Sequence, residues 1–294
     1  MEKSTTQLLK ELREMTGAGV LDCKKALDAS NNNIDEAVKW LREKGMAKAV
    51  KKASRVSAEG LFEVLVEGNK ALVYEINCET DFVAKNEKFK NFQAEVGKVL
   101  LASGVTNTED ALNVKNEKGE TVADMVLGFT AVIGEKITLR NVKVIEKADN
   151  QLFGVYKHNG GKIAVVTIVN GTDAQVAKVL AMTVCANNPL YKDESEVSEE
   201  WLAQEREVLT KESKEQNPNK PDQIIAKMIE GRLQKELKEV CLVHQGVIVD
   251  PNTTVAQYLA QNNTELVCYS RNVVGVGIEK KESDFVKEVM EQIK

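Results

Sequence analysis

The chain nearly repeats itself, and this restricts its fold more than any other feature. Leu61-Phe62-Glu63-Val64-Leu65-Val66, a Gly68-Asn69 turn and the run from Lys70 to Asn77 read as the two strands of a hairpin that leads to Thr80-Asp81. Leu152-Phe153-Gly154-Val155-Tyr156, a turn around Asn159-Gly160-Gly161 and the run Lys162 to Ile168 repeat that pattern as far as Thr172-Asp173, with a single-residue offset. Farther on, Arg271-Asn272-Val273 to Ile278-Glu279-Lys280 echoes Arg140-Asn141-Val142 to Ile145-Glu146-Lys147. Two copies of hairpin, helix and strand make a duplicated domain and not a solenoid. The copies differ at one telling place: Phe82 follows the first Thr-Asp, and Ala174 follows the second. A unit whose fold required that ring would need it twice.

The rest of the chain arranges itself around the two copies. Ahead of them, Ser4 with Gln7 is a capping-box pattern, and Leu8, Leu12 and Met15 share a helical face that ends at Thr16-Gly17. A second short helix spans about Val20 to Ala29, and Asn33 with Glu36 caps a third whose stripe of Ile34, Ala37, Val38 and Leu41 runs to Gly45. The Gly17-Ala18-Gly19 turn resembles the first loop of ubiquitin-associated-type bundles, a fold that offers this loop to protein partners. Within the first copy, Phe89, Phe92, Val96, Val99 and Leu100 mark one helix, a second passes through Met125 and Ile133, and a strand runs from Ile137 to Ile145. Within the second, a helix from Val197 to Lys214 is stopped by Asn217-Pro218-Asn219-Lys220-Pro221, and a stripe of Ile225, Ile229, Leu233, Leu237 and Val240 returns. The expected fold is therefore α+β. Residues 1–45 form a three-helix module and 46–56 a basic linker, a segment open to helix because it lacks strong caps. Residues 57–149 form one core subdomain and 150–280 the other, which carries an inserted helical hairpin at 195–240. Residues 281–294 form a C-terminal helix that includes Phe285.

Charge and composition exclude several classes of function. Residues 1–56 carry 12 Lys+Arg against 8 Asp+Glu, while the remainder has a net charge of −9. Such a head suits an acidic protein surface and is too weakly basic to argue for nucleic acid. No apolar run approaches the ~20 residues of a membrane span, and Met1-Glu2-Lys3-Ser4 lacks a signal core, so a cytoplasmic protein is expected. Cys23, Cys78, Cys185, Cys241 and Cys268 are scattered and odd in number, as reduced thiols are. His158 and His244 are the only histidines, so zinc chemistry and a histidine-based triad have no parts, and neither Cys78 nor Cys185 has an activating neighbour in sequence. There is no phosphate loop, and Gly275-Val276-Gly277 lies in a strand-like run without the turn and helix of a dinucleotide fingerprint. Neither an enzyme nor a bound cofactor is expected.

What remains is the stretch Cys78-Glu79-Thr80-Asp81-Phe82-Val83-Ala84-Lys85, between the second strand of the first hairpin and the helix that begins near Glu87. Thr80 and Asp81 are residue types that satisfy free backbone donors at such a turn, whereas Phe82 has no periodic partner. Two readings stand: the ring tucks back on its own helix as a staple, or it is a wedge beside a carboxylate, aimed at a partner. Thr80-Asp81-Phe82-Val83, together with Thr16-Gly17-Ala18-Gly19-Val20-Leu21-Asp22-Cys23-Lys24-Lys25-Ala26-Leu27, resembles elongation factor Ts, the exchange-factor family for the GTPase elongation factor Tu. The resemblance implies that Asp81 and Phe82 intrude beside the Mg²⁺ and phosphate site of the partner. It implies that Arg13, Val20, Leu21 and Lys24 hold the GTPase domain, that Ile133-Gly134 adds a contact at the core surface, and that His158 meets a β-barrel domain. Phe285 would contribute from the tail helix. It also allows a homodimer through the helical hairpin or the core. The alternative from another class is an adaptor whose head binds protein partners.

Overall fold

The structure, a computed structural model, describes residues 4–16 and 18–279, without the side chains of 46–48. Phe285 and the expected helix at 281–294 lie outside the described residues. The chain divides into two compact units, one made of Met1–Ile145, Gly160–Lys162 and Val273–Lys294, the other of Glu146–Asn159 and Ile163–Asn272. Each contains one three-stranded sheet and its helices, an α+β arrangement.

The first unit opens with α1 (Thr5–Thr16), α2 (Val20–Ala29) and α3 (Ile34–Lys51). They form because Leu12, Cys23, Ala26, Leu27 and Ala37 fall on facing stripes and are buried together, and because Asn33 caps α3 by accepting from Glu36 N at 3.1 Å. The sheet follows, with β1 (Glu59–Glu67), β2 (Lys70–Cys78), the helices α4 (Asp81–Lys85), α5 (Glu87–Ser103), α6 (Thr108–Asn113) and α7 (Val122–Ile133), and then β3 (Thr138–Glu146). The strand order is β1-β2-β3, and β1 pairs antiparallel with β2 so that Glu67 faces Lys70 and Glu59 faces Cys78. As the central strand, β2 is buried from Ala71 to Cys78, which accounts for its nearly continuous apolar sequence. Tyr74, Ile76, Phe89, Val96 and Leu100 make the core, and the rings of Phe92 and Phe129 stack at 4.2 Å between centroids.

Two features of this unit are notable. The third helix does not end at Gly45; it continues to Lys51, so the basic linker at 46–56 is helical over about its first half, the form its sequence left open. Gly45 lies against α7, where a Cβ would stand 2.8 Å from the Cβ of Ala131, so this glycine serves close helix approach and not termination. The unit's second notable feature is a buried carboxylate. Glu75 on β2 is wholly buried and accepts from Asn77 Nδ2 at 2.7 Å, Asn141 Nδ2 at 2.5 Å and the backbone of Gly275 at 2.8 Å, with Arg140 Nη1 at 3.8 Å. Those partners are what a buried charge requires.

The second unit comprises β4 (Gln151–His158), β5 (Ile163–Asn170), α8 (Ala174–Asn187), α9 (Glu199–Gln216), α10 (Asp222–Val240), β6 (Gly246–Val247), β7 (Asp250–Thr254), α11 (Val255–Gln261) and β8 (Glu265–Val273). Its sheet order, β4-β5-β8, matches that of the first unit. The inserted helices α9 and α10 pack on each other, joined by Arg232 to Glu212 at 2.6 Å and to Ser213 Oγ at 3.3 Å. The strand expected from Arg271 to Ile278 stops at Val273; Gly275 and Gly277 adopt left-handed φ of 78° and 77° and turn the chain instead. Among the described residues, no helix is long and apolar enough to cross a membrane.

Candidate functional site

The stretch after β2 is a helix and not an open loop. Thr80 caps α4, its hydroxyl accepting from Val83 N at 3.4 Å, and the buried Cys78 thiol donates to Thr80 O at 3.1 Å. One turn of helix sorts its side chains by angle. Val83 and Ala84 join the core, and Phe82 stands 81 % exposed. A staple would cover the ring, so that reading is excluded. Asp81, beside it, accepts from Lys85 Nζ at 2.6 Å, one turn on; this hydrogen bond holds the Asp81 carboxyl below its ordinary pKa, so it is anionic near neutrality.

A second segment holds this turn in place. Gly134 ends α7 in the left-handed conformation, and Glu135, immediately after it, reaches the segment that leads into α4. Its Oε2 accepts from Glu79 N at 3.1 Å and Thr80 N at 3.0 Å, and its Oε1 from Thr80 Oγ1 at 2.6 Å. Glu79 reciprocates, accepting from Lys136 N at 2.6 Å, and is paired with Arg55 at 3.2 Å. Ile133 packs half-buried against the core, and the Gly134 carbonyl accepts from Lys52. Thr80–Val83 and Ile133-Gly134 are thus brought together, through an acid that the sequence reading passed over. One signal was available: a carboxylate just past a helix C-terminus opposes the helix dipole unless donors elsewhere hold it.

The expected head residues sit on the α1–α2 end of the bundle. Thr16 Oγ1 donates to Leu12 O at 2.6 Å and accepts from Ala18 N at 3.3 Å, which shapes the turn before α2. Val20 is 46 % and Leu21 73 % exposed, and Arg13 and Lys24 are exposed cations. A groove of about 800 Å³ beside them is lined by Met15, Gly19, Trp40 and Leu41 from the head and by Ala131 and Val132 from α7. His158 belongs to the second unit, exposed at the end of β4, with its Nδ1 3.3 Å from Tyr156 Oη. There Asp173 caps α8 directly, accepting from Gln175 N at 2.8 Å, and Ala174 carries no ring outward.

Thiol chemistry finds no support at Cys78 or Cys185, because burial raises both thiols, Cys78 to about 12, and leaves little thiolate at neutral pH. Among the described residues, no group of three or more His, Cys, Asp or Glu is placed to hold a metal ion.

The family described as "Elongation factor TS" matches residues 79–276, and that described as "Elongation factor Ts, mitochondrial, N-terminal" matches residues 1–49. An elongation factor Ts from Acholeplasma laidlawii (strain PG-8A) is 46 % identical over 291 residues, covering 98 % of each chain.

Proposed function

Because the chain belongs to the elongation factor Ts family of translation elongation factors, we propose that it is a non-enzymatic exchange factor that binds elongation factor Tu in its GDP form and promotes release of GDP and Mg²⁺. The observation that carries this reading is an aromatic ring held 81 % exposed on a capped turn of helix beside an anionic Asp81. Asp81 and Phe82 would press against the metal and phosphate site of the partner. Arg13, Val20, Leu21 and Lys24 would grip its GTPase domain, Ile133-Gly134 would extend that contact, His158 would meet a β-barrel domain, and Phe285 would add a contact from the tail.

Energetics explain why a wide grip is needed. An acceleration of release by about 10³- to 10⁵-fold takes roughly 4 to 7 kcal/mol of differential binding. Burying one phenylalanine contributes only about 1.5 to 3 kcal/mol. Contacts from the head and the second unit must supply the difference. By linkage, a factor that weakens GDP is itself weakened by GDP to the same degree, so rebinding of nucleotide releases it.

The test is release of fluorescent GDP from elongation factor Tu with and without the chain. We expect acceleration by the wild type and a Phe82→Ala variant that still binds but loses most of the acceleration. A chain that binds elongation factor Tu and leaves release unchanged would instead fit the adaptor alternative.

A further inference from the structure

We propose that Glu135 is a positioning residue for exchange, the group that fixes the direction in which Phe82 projects; this rests on the exchange reading above. Three donors converge on its carboxylate, namely the backbone N–H groups of Glu79 and Thr80 and the Thr80 hydroxyl, between 2.6 and 3.1 Å. Those groups are the entry to α4, one and two residues before the helix that carries the ring. Glu79 returns the contact by accepting from Lys136 N at 2.6 Å, so each acid holds the backbone of the other's segment. A short helix with a single cap would swing on the chain around it. Two crossed carboxylate clasps remove that freedom before a partner arrives, which is what preorganisation of a wedge requires.

The second unit shows that the clasp is no requirement of the fold. The register that pairs Arg140-Asn141 with Arg271-Asn272 puts Leu266 opposite Glu135, and the register that pairs Thr80-Asp81 with Thr172-Asp173 puts Gly171 opposite Glu79 and Ala174 opposite Phe82. Leu266 is buried in the core of its unit and α8 starts from a simple Asp173 cap. The same hairpin-helix-strand design therefore folds without an acid at either of those positions, its neighbouring Glu265 accepting instead from the Asn170 side chain at 2.8 Å, and it carries no ring at Ala174. In the first unit the clasp sets Glu79 and Glu135 near one another and near the negative end of α7, an arrangement that is electrostatically unfavourable without its donors. A leucine, as in the second copy, would avoid it.

The experiment measures fluorescent-GDP release from elongation factor Tu over a titration of the full chain, giving a maximal rate and a half-saturating concentration. We expect Glu135→Ala to lower the maximal rate about tenfold, as loss of hydrogen bonds to a charged group allows, with the half-saturating concentration changed by less than about twofold, because the gripping surfaces are intact. Glu135→Gln, which retains acceptance from the two backbone groups, should recover most of the rate. Combined with Phe82→Ala, Glu135→Ala should cause no further loss, since a residue that acts only by aiming the ring has nothing left to aim. Should Glu135→Ala fold poorly by thermal melting, Glu135→Leu repeats the test with the side chain that the second copy tolerates. The proposal is overturned if Glu135→Ala or Glu135→Leu leaves the maximal rate unchanged, or if its loss multiplies with that of Phe82→Ala. A wild-type chain that does not accelerate release overturns the exchange reading itself, a result no Glu135 variant can mimic.

Discussion

Replacing Phe82 with alanine should leave the folded chain almost untouched. The ring is 81 % exposed and its removal uncovers no core, so thermal unfolding should shift by no more than about 0.5 kcal/mol, as for surface positions generally. Against that, nucleotide release at saturation should drop sharply; a large fall in melting temperature would mean that the ring supports its own unit after all. The turn around it was partly legible in sequence, because capping is local. Thr80 and its acceptor bond from Val83 lie three residues apart, within reach of a motif. The bonds from Glu79 and Thr80 to Glu135 span 56 and 55 residues, and no local pattern reports a pairing of that length. For the same reason the polar partners of Glu75, one of them 200 residues away at Gly275, could not be read from its position in an apolar run.

At the level of elements, both hairpins were readable because two-residue and glycine-rich turns punctuate strongly biased strands. Helix α4 was not, since five residues are too few to display a 3.6-residue period. The short α6, the β6–β7 pair and α11 escaped for a similar reason, each being only two to seven residues long. Gly45 misled in a more instructive way: a glycine after an apolar stripe looks like a stop signal, yet here it is the point of contact between α3 and α7. Glycine in mid-helix costs up to about 1 kcal/mol relative to alanine, and close packing offsets that cost. Gly45→Leu should therefore lever the two helices apart and destabilise the first unit by about 1–3 kcal/mol in denaturant melts, the usual size of overpacking. A variant as stable as the wild type would show that the approach of α3 to α7 is loose.

Across the whole molecule, the duplicated plan read from sequence reappears as two sheets of identical order, β1-β2-β3 and β4-β5-β8. Both units bury protonated groups that resist ionisation. Burial pushes Cys78 up to about 12 and Cys241 up to about 11, and raises the Tyr74 phenol as well. Each has a folded-state pKa above its unfolded value, so the stability it lends is complete below about pH 9 and is lost as pH rises toward the folded-state pKa. Melting temperature followed by circular dichroism should be flat from about pH 7 to 9 and fall above it, and Cys78→Ala should lessen the fall. A melting temperature that holds through about pH 11 would contradict the burial of these groups.

The route of the chain carries a last consequence. The first unit takes back Gly160–Lys162 and then the chain from Val273 on, where the returning segment brings Gly275 to the carboxylate of Glu75. On a ribosome the segment made first stays short of one donor to its buried carboxylate until Gly275 has emerged. Birth order and completion order are thereby reversed: the part that starts first is the last to close.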